Sequence, residues 1–493
     1  MPSPRFDAHV AVLGTASDVG KSLLCAALGR LFSDAGRRVA PFKAQNMSNN
    51  AYVTADGGEI GRAQYVQAVA CRVEPSVHHN PVLLKPSADD LSQIVLHGQV
   101  VGRSRAMEYF RSTERLRDAA YASLDRLMAT HDVVVLEGAG SCAEVNLRAR
   151  EFVNFPAAHH AGAHVILVAD IDRGGVFAQI VGSLEVMPPE DRARVRGVLV
   201  NKFRGDLRLF DEGVRFLEAR TGVPVLGVVP YLYGLDLDSE DAVPVATVVD
   251  PPVGTDAERV RIGVLRLPHI SNFTDFDALA RVEGVAVHYL YRPRDLSDYA
   301  AVIVPGSKSV VADLQWLRET GVAQRLLAYA ARGGNVLGIC GGYQMLGAAI
   351  VDEHGVESVV PRTEGLGLVP ATTMFSPEKI VRRITARMVR EGVPVEGYEI
   401  HCGRTEASGE ALLCLDDGTR DGIRQDRVWA TYLHGVFDDA CFRARFLDWV
   451  APGAAWQDAG GSRAAWIDAE LDRFAEHVRR HVDWAAIEAW TRP

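Results

Sequence analysis

The chain has 493 residues, 48% of them hydrophobic and 24% charged, with a formal net charge of −10. That length holds two or three domains of a soluble globular protein, and the acidic balance excludes a general nucleic-acid or membrane-surface role, which needs a basic footprint. The seven cysteines form no C-x-x-C pair, so neither a disulfide framework nor a zinc site is expected and a reducing cytoplasm fits; no signal peptide and no run of about 18 apolar residues occurs, so no membrane span is expected either.

Residues 9–13 read as a short apolar strand that runs into Gly14-Thr15-Ala16-Ser17-Asp18-Val19-Gly20-Lys21-Ser22 and then a helical stretch. Strand, glycine loop ending in Gly-Lys-Ser, and helix form the setting a phosphate-binding loop needs. Backbone N–H groups near Gly20 face a phosphate, Lys21 neutralises it, and Ser22 Oγ reaches Mg²⁺. The loop is a variant: Thr15 stands where glycine is usual, and the glycine comes one residue early at 14. A second strand, 39–42, leads into the amide-rich stretch 43–50, at a strand end where open α/β sheets bind ligands. Lys43 is a candidate for a phosphate or substrate carboxylate, with Lys85 and Arg62 as further carboxylate contacts. Strand 133–136 ends in Glu137-Gly138-Ala139-Gly140, which makes Glu137 the second Mg²⁺ position. Strand 164–169 ends in Asp170-Ile171-Asp172-Arg173-Gly174-Gly175, a phosphate and substrate contact loop through Asp170, Asp172 and Arg173. Strand 196–200 ends in Asn201-Lys202, a pair placed to contact a purine base. Strands alternating with helical stretches predict an α/β, mostly parallel, doubly wound sheet.

Residues 236–259, rich in acids and containing Pro251-Pro252, read as an exposed linker. In the second half, Gly338-Ile339-Cys340-Gly341-Gly342 follows an apolar strand and precedes a helix start. It fits G-x-C-x-G, the cysteine form of the nucleophile elbow. The Gly341 N–H is placed to receive an oxyanion, with a second donor expected at Gly306 or Ser307. His434 follows an apolar strand, precedes a glycine and is the expected base, since Cys–His pairs activate thiolate attack on an amide. Along 464–490, Ile467, Leu471, Phe474, Val478 and Val482 share one helix face, predicted to pack on the second domain. The expected organisation is a P-loop domain at 1–235, the linker at 236–259, a second α/β domain at 260–450 and a helical tail at 451–493.

The variant loop, the E-G-A-G turn and the Asn201-Lys202 pair resemble the dethiobiotin synthetase and MinD-like ATPases, and the second half resembles a class I glutamine amidotransferase domain. Pro41-Phe42-Lys43-Ala44-Gln45-Asn46-Met47, Gly58-Glu59-Ile60-Gly61-Arg62-Ala63-Gln64, the run from Asp170 to Ala178 and Gly397-Tyr398-Glu399-Ile400-His401 resemble the cobyric acid synthase family. The resemblance implies a carbon–nitrogen ligase of cobalamin biosynthesis that takes ATP, Mg²⁺, glutamine and a corrinoid polycarboxylate. It implies amidation of the b, d, e and g carboxylates of adenosylcobyrinic a,c-diamide through acyl phosphates. The sister cobyrinic acid a,c-diamide synthases share both domains, and the quoted stretches favour the first family. A MinD/ParA-like ATPase switch carrying an inert second domain has no need of both Cys340 and His434. Wider amidotransferases carry His-x-Glu, whereas Val436 occupies the Glu position here. The third member of the triad is therefore either supplied from elsewhere, with Glu399 near a strand end, or dispensable.

Overall fold

A computed structural model describes residues 8–88, 91–105, 113–237, 259–458 and 463–492. Most of the expected linker, 238–258, lies outside the described residues. In the first half, six short apolar runs form one sheet in the order Val225–Pro230, Val195–Phe203, His164–Asp170, Val10–Gly14, Val133–Glu137 and Val39–Phe42. Every pairing is parallel. The strands read as continuous apolar runs because both sheet faces are covered. All six therefore end on the same side, and Gly14, Glu137, Asp170 and Asn201 gather at that edge.

The second half repeats the plan. Five parallel strands stand in the order Val285–Leu290, Val260–Leu265, Ala301–Val304, Asn335–Ile339 and Val428–Thr431, with Ile423–Gln425 antiparallel at the edge. The register Ile339↔Thr431 sets two neighbouring strand ends level. Cys340 follows one directly and His434 follows the other by three residues, so their meeting is fixed by the ladder. Two features carry no strong period in the sequence. One is a four-stranded sheet from Gln45–Met47, Val82–Ala88, Leu91–Leu96 and Gln99–Arg105. The other is a long antiparallel hairpin, Ala371–Met388 against Pro394–Ala407, that reaches across to the first domain. No helix among the described residues is long and apolar enough to cross a membrane.

The tail corrects an expectation. Helix Arg463–His481 does bury Ile467, Leu471, Phe474 and Val478. They pack on the first domain, however, not the second. Phe474 and Val478 join Val10, Leu24, Leu28 and Phe32, while Ile467 and Leu471 join Ala26, Val66 and Ala70. The physical reason is the P-loop helix Lys21–Asp34, which is apolar on more of its surface than the sheet can cover. Arg30 on that helix is fully buried and pairs with Asp468 at 2.5 Å and Asp472 at 3.0 Å. The tail's first turn also touches the second domain, where Arg463 donates to the Thr274 carbonyl and pairs with Asp438.

Candidate active site

Cys340 sits at a strained turn of the second domain. It holds φ 49° and ψ −106° between strand and helix, a conformation that costs a non-glycine residue about 1–3 kcal/mol. Its N–H donates to Thr431 O at 2.8 Å, and its thiol to the Ile400 carbonyl at 3.7 Å. A side chain on Gly341 would sit 2.8 Å from the Ser307 nitrogen, so the Gly306-Ser307 loop lies directly against the elbow. The Gly306 carbonyl accepts from Ser271 N–H, which ties that loop to the turn 271–275.

That turn brings a third side chain to the pair. Asp275 Oδ2 lies 2.7 Å from His434 Nδ1, and Asp275 Oδ1 accepts from Gly435 N–H at 3.0 Å. Both side chains are buried. Burial works against charge on His434, but the Asp275 carboxylate and the Cys340 sulfur outweigh it and raise the imidazole to about 10. Glu399 is engaged elsewhere, with Arg382 at 2.6 Å and His401 at 3.7 Å. Val436 is fully buried in the core. The clue to Asp275 in the sequence is an acid closing the polar run Ser271-Asn272-Phe273-Thr274-Asp275, soon after a strand.

At the phosphate loop, Gly20 takes φ 96° and Lys21 Nζ donates to the carbonyls of Ala16 at 3.0 Å and Gly140 at 2.9 Å. The early glycine has a reason: a side chain at 14 would stand 2.9 Å from Lys21 Nζ and from Ala16 O. Glu137 is the hub. It accepts from Ser22 Oγ at 2.6 Å, Lys43 Nζ at 2.9 Å and Gln67 Nε2 at 2.6 Å. A hydroxyl and a carboxylate side by side at the loop's end are the hard oxygen donors Mg²⁺ takes alongside phosphate, so the residues fit that ion.

Several expected contacts lie elsewhere. Thr15 donates its N–H to Val168 O and its hydroxyl to Gln179, and it stands outside the loop's cavity. Asp170 pairs with Lys202, Asp172 with Arg204, and Arg173 with Asp18, so this acidic loop braces the flank of the phosphate loop. Asn201 Nδ2 donates to Val19 O, and both Asn201 and Lys202 border the cavity. Arg62 lies over the rings of Tyr65 and Tyr52. Lys85 is not at the phosphate cavity at all. It is buried beside the thiol, where Lys85 and Lys379 both pair with Glu59, the latter at 2.5 Å. Burial opposes ionisation of Glu59, but the two ammonium groups hold its carboxyl well below the usual carboxylate range.

The two cavities share a thin partition. The phosphate-loop cavity, about 1440 Å³, runs from Lys21 and Glu137 across to the second domain. Lys85 faces the thiol cavity and the next residue, Pro86, faces the large one. Ser271 and Asn272 face the thiol; Ile270 and Phe273 face the large cavity. Across this seam Ala51 N–H donates to Asn272 Oδ1 at 3.1 Å and Thr274 Oγ1 to Asn50 Oδ1 at 3.2 Å.

Comparison with known proteins agrees with this division. Residues 10–245 match the CobQ/CobB/MinD/ParA nucleotide binding domain, and residues 261–442 match the CobB/CobQ-like glutamine amidotransferase domain. The chain is similar to the cobyric acid synthase of Chlorobium phaeobacteroides (strain BS1), at 51% identity over 97% of this chain and 98% of the relative. It is also similar to that of Chlorobaculum tepidum, at 49% identity over 96% of each.

Proposed function

The chain belongs to the cobyric acid synthase family of glutamine-dependent ligases, and from that premise we propose that it amidates the b, d, e and g carboxylates of adenosylcobyrinic a,c-diamide. The observation that carries this reading is a Cys340–His434–Asp275 constellation whose cavity adjoins the phosphate-loop cavity at Lys85–Pro86 and Ile270–Phe273.

Cys340 Sγ attacks the side-chain amide carbon of glutamine. Gly341 N–H and a donor from Gly306-Ser307 hold the oxyanion. His434 passes a proton to the leaving nitrogen, which departs as ammonia, and water then releases glutamate from the thioester. In the first domain Gly20, Lys21 and Ser22 hold the ATP phosphates, and Lys43 orients the substrate carboxylate. Ser22 and Glu137 would hold Mg²⁺, which neutralises phosphate charge. The carboxylate takes the γ-phosphoryl group to give an acyl phosphate and ADP. Ammonia crossing the Lys85–Pro86 and Ile270–Phe273 partition displaces phosphate and leaves the amide. Around the thiol Lys85, Lys308 and Lys379 outnumber the carboxylates Glu59 and Glu357, and the surplus of positive charge disfavours ammonium and so favours neutral ammonia, the nucleophilic form.

The test is mass spectrometry of adenosylcobyrinic a,c-diamide incubated with the protein, MgATP and glutamine. Four successive carboxylate-to-amide conversions are expected, lost in Cys340→Ala and restored there by ammonium salt. Conversion of cobyrinic acid to its diamide alone, with no action on the diamide, would assign the sister activity instead.

A further inference from the structure

The large cavity is too big for one nucleotide, and its far wall belongs to the other domain. At about 1440 Å³ it exceeds the roughly 300–1,000 Å³ that a single drug-sized ligand fills. Lys21 and Ser22, proposed above to hold the phosphates, and Asn201 and Lys202 line the first domain's side of it. The rest of the lining is shared between first-domain residues, among them Met47, Asn49 and Tyr231, and a facing wall built from three separated pieces of the second domain. Arg266, Leu267, Ile270 and Phe273 follow strand Val260–Leu265; Tyr291 follows Val285–Leu290; Trp316 lies on helix Val310–Glu319. Leu267 and Phe273 are anchored in the second domain's core. Ile270, Tyr291 and Trp316 are half-buried and line the cavity, with the Arg292 guanidinium 5.1 Å from the Tyr291 ring centroid. Arg266, also half-buried, makes no side-chain hydrogen bond or ion pair with the described residues. Hydrolysis of glutamine, which happens behind the partition, gives no reason for such a face.

We propose that this face of the glutaminase domain seats the corrin macrocycle, with the ring lying on Ile270, Tyr291 and Trp316 and Arg266 taking a carboxylate at the ring's edge. The inference rests on the function proposed above. A corrin is a broad, largely apolar ring fringed by carboxylates and amides, which matches an aromatic face with one unpaired guanidinium. The number of reactions adds a second reason. Four carboxylates spaced around one ring must reach the same γ-phosphate in turn. A site of directional hydrogen bonds would fix one orientation. Apolar contact is non-directional, so the ring re-seats at different rotations on the same face while Arg266 pairs with whichever carboxylate or amide edge comes round. The glutaminase domain then acts twice, releasing ammonia behind the partition and presenting the acceptor in front of it.

The test uses full-length protein without ATP or glutamine. Binding of adenosylcobyrinic a,c-diamide is read by equilibrium dialysis through its visible absorption. Tyr291→Ala and Trp316→Ala are each expected to weaken binding about tenfold, Trp316→Phe to stay near wild type, and Arg266→Gln to weaken it. In turnover the same Ala variants raise the corrinoid KM at every amidation and leave the KM for ATP unchanged. Wild-type conversion of the substrate together with equal corrinoid affinity in wild type and in folded Ala variants would overturn this inference alone. Neither binding nor conversion by the wild type would overturn the function it rests on as well.

Discussion

Asp275 accepts from both His434 Nδ1 and Gly435 N–H, so the ring is held in one orientation and Nε2 is the nitrogen left for the thiol. Because the folded imidazole is raised to about 10, the stability this gives is full below the unfolded value near ~6.5. It is lost as pH rises through about 10. Asp275→Asn keeps the shape and removes the charge. It is expected to lower glutaminase kcat by about 10²–10⁴-fold and to move the alkaline limb of the pH profile toward neutrality. A rate–pH series with glutamine alone checks both, and amidation with ammonium salt should persist. The meeting of Cys340 and His434 in one cavity was legible because each stands out within a few neighbouring residues: glycines around one, an apolar strand before the other. Asp275 is 159 residues from His434 and reaches it through sheet order, which no local pattern records. Thr15 illustrates the reverse. The loop type was legible, but the residue's role was not, since its N–H completes a ladder with Val168.

At the level of elements, the helix Arg463–His481 shows what periodicity can and cannot tell. Spacing identified its buried face, because side chains three and four apart share one side. It did not name the partner, because any apolar surface of the right shape would serve. The partner's signal lay in the P-loop helix, where Leu24, Ala26, Ala27, Leu28, Leu31 and Phe32 are all buried. A helix apolar around most of its girth needs cover on two sides. Leu471 is fully buried in that contact. Leu471→Ala should destabilise the first domain by about 2–5 kcal/mol, read by denaturant unfolding, and should lower affinity for ATP before it touches glutaminase turnover.

Over the whole molecule the informative object is the seam. The parallel sheets were legible from strands alternating with helices. The hairpin Ala371–Met388 with Pro394–Ala407 was not, because Lys379 and Arg383 look like ordinary surface residues until the other domain meets them. Lys379 then meets Glu59, and Arg383 donates to Val53 O. Glu59, with its folded value depressed, contributes stability that is present above the ordinary carboxylate range and lost in acid. Glu59→Gln leaves two buried ammonium groups without their carboxylate, a loss of about 3–5 kcal/mol concentrated where the domains meet. The expected outcome is leakage: glutamate formed exceeds amide formed, and the surplus appears as free ammonia in a coupled assay of both products.

The return of the tail to the P-loop helix also decides how the two halves are held together. The chain leaves the first domain near 237 and comes back to it at 463, so the glutaminase unit is an insertion moored at both ends. The two chemistries stay at a fixed effective concentration of each other.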